Sequence, residues 1–171
     1  MVSITTRLKV EHKGVDLMRR LRKVKFSLTN DPKKVKVGFP AGKAPGDLIS
    51  IAYWNHEGTN RAKGDVFMRN GKTGISGPIP PRPFITVAMF KGRRVIKMAL
   101  YAETKALFDG KSDLKKSMTR LGMAGQDLIQ VQIGSGMGPA NSPMTIFLKG
   151  SSKTLVDNGR MFQSVTWDFD K

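Results

Sequence analysis

The chain has 171 residues, no cysteine, and a formal net charge of +17 from 30 Lys and Arg against 13 Asp and Glu. The missing cysteines exclude disulfides, thiolate metal sites and cysteine nucleophiles. The opening MVSITTRLKV lacks the apolar run of a secretory leader, and no stretch approaches the ~20 apolar residues that span a bilayer, so a soluble protein without a membrane partner is expected.

The length suits one domain with a core of its own. A hydrophobic fraction of 39% with 18 Gly and 9 Pro predicts that core to carry long loops or arms that order against a partner. Charge this lopsided speaks to partners and not to fold: acidic protein, nucleic acid or an anionic surface would each fit. About half of it lies early, since residues 1–43 hold twelve Lys or Arg and three Asp or Glu, a net of +9.

In chain order, Leu17, Leu21, Val24 and Leu28 recur at helical spacing and predict a helix over about 15–28, with Arg19, Arg20, Arg22, Lys23 and Lys25 on its remaining surface. Pro32 ends it by pushing the preceding residue out of the helical region. Strict alternation over Lys34–Phe39, with Val35, Val37 and Phe39 on one side, predicts a half-buried strand. After a turn-rich break at 40–46, a short helix runs from Asp47 as N-cap toward Trp54.

Residues 60–78 form a polar, glycine-rich excursion in which Asn70-Gly71 favours a tight hairpin turn. The proline-laden segment 78–84 must run extended. Two antiparallel helices follow, over 86–108 with Val95, Met98, Ala99, Ala102 and Leu107 inward, and over 112–133 with Ser112 as N-cap and Leu114, Met118, Leu121 and Leu128 inward; Asp109-Gly110-Lys111 joins them. A loop at 134–143, a short strand at 145–148, a turn or short helical start at 157–160, and a terminal strand at 163–169 complete the chain. The sum is a single α+β domain over 1–171: a small mixed or antiparallel sheet packed with two to three helices, a basic N-terminal helix, and long projecting loops.

Catalytic motifs are weak. His12 and His56 are far apart, and His56-Glu57 lacks the second histidine of a zinc-protease helix, so both read as ordinary polar or partly buried residues. Gly38-Phe-Pro-Ala-Gly42-Lys43 is one residue short of a phosphate loop and has Ala44 where a magnesium-binding hydroxyl belongs. The glycines at 134, 136 and 138 lack dinucleotide spacing. No enzyme activity, cofactor or metal site is expected. The basic helix offers contact with acidic protein or phosphates against the plainer reading of a solvated face; only Phe26 interrupts it, so a base-stacking platform is not expected there.

Four segments, in order, resemble the tail-completion or head–tail joining (neck) proteins of tailed bacteriophages: Ile51–Thr59 (IAYWNHEGT), Ile79–Phe84 (IPPRPF), Leu121–Ile133 (opening LGMAGQ), and Asn141–Thr145 (NSPMT) with Leu155–Met161 (LVDNGRM). His56-Glu57-Gly58 stands where that family usually has an acid and an aromatic before the glycine, and the excursion 60–78 is longer than its usual link. The resemblance implies a non-enzymatic structural subunit of the virion, assembled in the host cytoplasm. It would form a homo-oligomeric ring, typically hexameric, at the top of the tail between tail terminator and head-side connector, with non-specific contact to packaged DNA open to it. The alternatives are the tail terminator ring itself or a basic nucleic-acid-binding accessory protein.

Within this frame, Tyr53 and Trp54 are large rigid anchors for a core, slightly favoured, or for an interface. Gly58 permits a backbone turn, Arg82 can pair with a carboxylate or be solvated on a stiff connector, and Phe84 plugs the core at the start of the long helix. Candidate interface residues are Tyr53, Trp54, Arg82, Arg19, Arg20, Arg22, Lys23, Asn70 and Gly71. Deleting residues 64–76 is expected to leave cooperative unfolding intact while impairing assembly of the particle; loss of the folded state on thermal melting would show that the excursion is part of the core and not an arm.

Overall fold

The computed structural model describes residues 3–32, 34–60, 66–69, 72–75 and 77–170. It is an α+β fold. Three long helices dominate it: α1 (Ser3–Asn30), α3 (Phe84–Phe108) and α4 (Leu114–Ser135). A shorter α2 (Gly46–Glu57) and the brief α5 (Pro143–Lys149) and α6 (Arg160–Gln163) complete the helices described. β1 (Val35–Gly38) pairs antiparallel with β4 (Thr166–Phe169), joining opposite ends of the chain with Val37 opposite Trp167. β2 (Val66–Arg69) pairs antiparallel with β3 (Lys72–Ile75), Arg69 opposite Lys72, as a hairpin within the excursion. Asn70 and Gly71 themselves lie outside the described residues.

α3 and α4 form the predicted antiparallel hairpin, and the α4 sequence decides how the β1–β4 ribbon sits on it. A methyl group at Gly122 would stand 2.7 Å from the Trp167 ring, and one at Gly125 would stand 3.0 Å from Val37. The two glycines let the ribbon lie directly on the helix backbone. That close approach outweighs the roughly 1 kcal/mol each costs relative to alanine in a helix interior. Lys36 to Asp170 (2.5 Å) and Lys43 to Asp168 (2.9 Å) tie the ribbon's polar edge.

The main core gathers Ala52 from α2, Phe84 and Ala88 from α3, Ile129 and Ile133 from α4, and Leu155, Met161 and Val165 from the C-terminal segment. Phe84, Ile129, Ile133 and Val165 are fully buried. Leu155 reaches this core from a left-handed backbone (φ 61°). That conformation costs about 1–3 kcal/mol, and burying a leucine side chain returns about the same. A second, smaller core lies at the tip of the helical hairpin, where Val24 of α1 meets Leu107, Leu114 and Met118.

Several expectations are corrected. α1 is twice as long as its periodic stretch, and of the stripe Leu17, Leu21, Val24 and Leu28 only Val24 is buried. Val24 is where the helix meets the hairpin tip. On α3, Val95, Met98 and Ala102 are exposed; Leu107 is buried as expected, and the other inward positions are Phe84, Ala88 and Gly92. Helical periodicity selects a stripe but not the direction it faces; Gly92, with the Leu128 side chain against it, marks the true contact line.

Residues 145–148 are helical, not a strand. Ser142 caps α5 by accepting from the Thr145 amide, Pro143 opens it, and Gly150 closes it at φ 73°. These cap signals outrank the short apolar run. Asp47 is not the cap of α2, which starts at Gly46 behind Pro45.

The cap of α4 is Asp113 and not Ser112: its Oδ1 accepts from the Lys116 amide at 2.8 Å, and this hydrogen bond, first among the causes, holds the carboxyl below its ordinary pKa. A depressed folded value means that the cap's stabilisation is complete above the unfolded pKa of about 3.9 and is lost as pH falls through the lowered folded one. Asp113→Ala is therefore expected to cost about 1 kcal/mol at neutral pH. In urea unfolding, the gap to wild type should close on acidification, and Asp113→Asn should keep most of the cap without the pH dependence.

Candidate functional site

The segments singled out in the sequence converge. The extended stretch 77–83 lies beside the end of α2: the Thr59 amide donates to the Ile79 carbonyl (2.8 Å), and the Arg82 amide donates to the Asn55 carbonyl (2.8 Å). Between them Gly58 adopts φ 79°, ψ 177°, where a side chain would collide with the Ile79 carbonyl at 2.8 Å and the Pro81 nitrogen at 2.9 Å. This backbone region is essentially confined to glycine, so the turn expected at Gly58 is present and glycine is required for it.

Arg82 is corrected most sharply. It is 4% exposed, and its partners are not carboxylates. Nε donates to the Pro139 carbonyl (2.8 Å), and Nη2 donates to the Ala140 carbonyl (3.2 Å) and more distantly to Asn141 Oδ1 (3.5 Å). Asn141 in turn donates through Nδ2 to the Ser152 and Lys153 carbonyls (3.3 and 3.2 Å). A planar fork pre-formed for two acceptors suits a loop whose carbonyls no strand satisfies. Burial pushes the guanidinium below its usual pKa, but arginine stays protonated in a protein. Arg82 is thus an internal clamp that draws the loop before α5 onto the segment before α3, and it is not available as a contact residue.

His56 packs edge-to-face on Phe84 (centroids 5.4 Å apart) with Nε2 3.3 Å from Thr86 Oγ1, while its buried Nδ1 has no partner among the described residues. The side chain of His12 lies outside the described residues. Lys43 is engaged by Asp168 and donates to the Trp167 carbonyl at 3.0 Å, so the glycine-flanked stretch before it braces the ribbon. No group of three or more His, Cys, Asp or Glu that could hold a metal ion is found among the described residues.

Tyr53 and Trp54 lie exposed on α2, which overturns the slight preference for the core and leaves both accessible. Arg19, Arg20, Arg22 and Lys23 are exposed on α1, with Arg20 paired to Asp16 one turn earlier at 2.5 Å. The outer face of α3 was not anticipated as a surface feature: Phe90, Tyr101 and Phe108 stand exposed there, 65% and 73% for the first two. Their spacing of 11 and 7 residues returns each to the same side of a helix of 3.6 residues per turn, and that was the signal available in the sequence. Among the described residues, no helix is long and apolar enough to cross a membrane.

No protein-family model, curated protein or solved structure matches this chain. Arg82→Met is expected to cost about 2–3 kcal/mol, since it removes the charge-assisted hydrogen bonds by which the guanidinium ties the 139–141 loop to the segment before α3, and Arg82→Lys should recover part of that. Urea midpoints for the two variants measure the clamp; equal stability of Arg82→Met and wild type would show that the carbonyls find other partners.

Proposed function

We propose that this chain is a structural subunit of the neck of a tailed bacteriophage, one that forms a ring completing the tail and joining it to the head-side connector. What carries the reading is the apolar side chain left uncovered on separate helices: Leu17, Leu21 and Leu28 on α1, Tyr53 and Trp54 on α2, Phe90 and Tyr101 on α3. So many large apolar side chains left uncovered on long helices suit a subunit that covers them against neighbours on assembly.

The resemblance carried by the four segments selects the kind of assembly. In its support, those segments share one junction: α2, the proline segment, α4 and residues 141–161 meet around Phe84 and Arg82. In a closed ring each subunit presents one surface to the next, and rotation brings the last against the first. α1, about 42 Å long from its 28 residues and held to the body near Val24, is the arm best placed to reach a neighbour. The hairpin β2–β3, whose second strand packs near α5, is the other element offered to a neighbour. Positive charge would favour docking on acidic neighbours in the virion.

Disrupting the gene in its phage and viewing the lysate by electron microscopy tests this. Full heads beside separate tails of finished length are the expected result. Overlong tails would reassign the protein as the terminator ring, and normal infectious particles would overturn the neck reading altogether.

A further inference from the structure

Six residues of α3 fall in one helical series at intervals of three or four: Phe90, Arg94, Lys97, Tyr101, Lys105 and Phe108. All six are exposed. The aromatics stand at the ends and middle, with cations between them, and Arg93 lies over the Phe90 ring at 4.7 Å from its centroid. The one carboxylate of α3, Glu103, points away and binds Arg120 of α4 through both oxygens at 3.1 and 3.2 Å. Asp109, just past the helix, faces Lys111 at 4.0 Å. Arg94, Lys97 and Lys105 have no carboxylate partner among the described residues.

We infer that this face of α3 is a docking surface for an acidic amphipathic helix of a partner protein. Regular anchors at these intervals on a rigid helix match the apolar stripe of a second helix, and the cations match carboxylates flanking that stripe. Charge decides among the possible occupants. A second copy docked through this same face would set one uncompensated cationic row against another, which is repulsive; ring contacts through other faces are unaffected. Duplex DNA would use the cations but leave the exposed rings without a role. A single strand stacks successive bases on neighbouring rings, whereas these rings are 11 and 7 residues apart along the helix, roughly 16 and 10 Å. The inference builds on the assembly reading. Its test uses purified protein alone, so it can fail while the gene-disruption result stands.

The probe is a synthetic helical peptide of about 20 residues, long enough to lie along α3, with a leucine stripe flanked by glutamates. A lysine-flanked version and a single-stranded thymidine oligonucleotide serve as comparisons. Fluorescence anisotropy should show the glutamate peptide binding with an affinity that falls with salt. Phe90→Ser/Tyr101→Ser and Arg94→Glu/Lys97→Glu should each weaken it by at least about tenfold, the scale of a lost interface anchor. Met123→Ser, exposed on α4, should leave it unchanged.

Should the aromatic variant lose helical circular dichroism, the charge reversal, confined to exposed side chains, carries the test. Affinity for the glutamate peptide that both variants leave intact would overturn the inference. So would oligonucleotide binding that both variants abolish, or sedimentation showing wild-type oligomers that Phe90→Ser/Tyr101→Ser converts to monomers.

Discussion

The fold depends on a single crowded junction at the start of α3. Within three residues the chain places Arg82, whose backbone amide holds the end of α2 and whose guanidinium holds the loop at 139–141, and Phe84, which is fully buried in the core. Prolines on both sides of Arg82 restrict the segment before any tertiary contact forms, so little further entropy is lost on docking it. The buried cation is tolerable because its N–H groups donate to the Pro139 and Ala140 carbonyls and so keep hydrogen-bond partners away from bulk water. The clamp and the loop therefore satisfy each other, and α5 and the C-terminal core segment follow from where that loop is held.

A second constraint is steric. The β1–β4 ribbon has only four residues in each strand and cannot support itself. It is stable because Gly122 and Gly125 let Trp167 and Val37 rest on the α4 backbone. The ribbon thereby closes the chain, its last strand beside its first, and α1 is absent from the main core, its Val24 packing at the hairpin tip among the described side chains.

That arrangement leaves a small core and a large uncovered periphery. The free faces of the long helices carry apolar side chains among lysines and arginines. A basic surface with apolar anchors is suited to contact with acidic neighbours, where ordering of arms is offset by contacts that the isolated chain cannot make. The neck reading and the α3 docking face both draw on this division between a clamped centre and an unsatisfied rim.

The amino-acid sequence alone determined the α+β class, the alternating strands at both ends, the Asn-Gly hairpin flanks, the helical hairpin and the glycine at position 58, because each rests on local backbone preference or on a period that survives without tertiary context. It also marked Phe84 as core and the chain as strongly basic. Tertiary structure alone decided which side of each helix is covered, since a 3.6-residue period defines a stripe but not its partner. Leu17 and Val95 are exposed although their spacing matches that of buried residues, while Gly92 is buried although it has no side chain to signal it. Arg82 shows the same limit for charge: the isolated sequence offered a carboxylate pair or a solvated side chain, and the folded chain supplied carbonyls brought from 57 and 58 residues away. The physical reason is that a hydrogen bond or a packing contact is made with whatever the rest of the chain brings to that point, and only the complete fold specifies what arrives there.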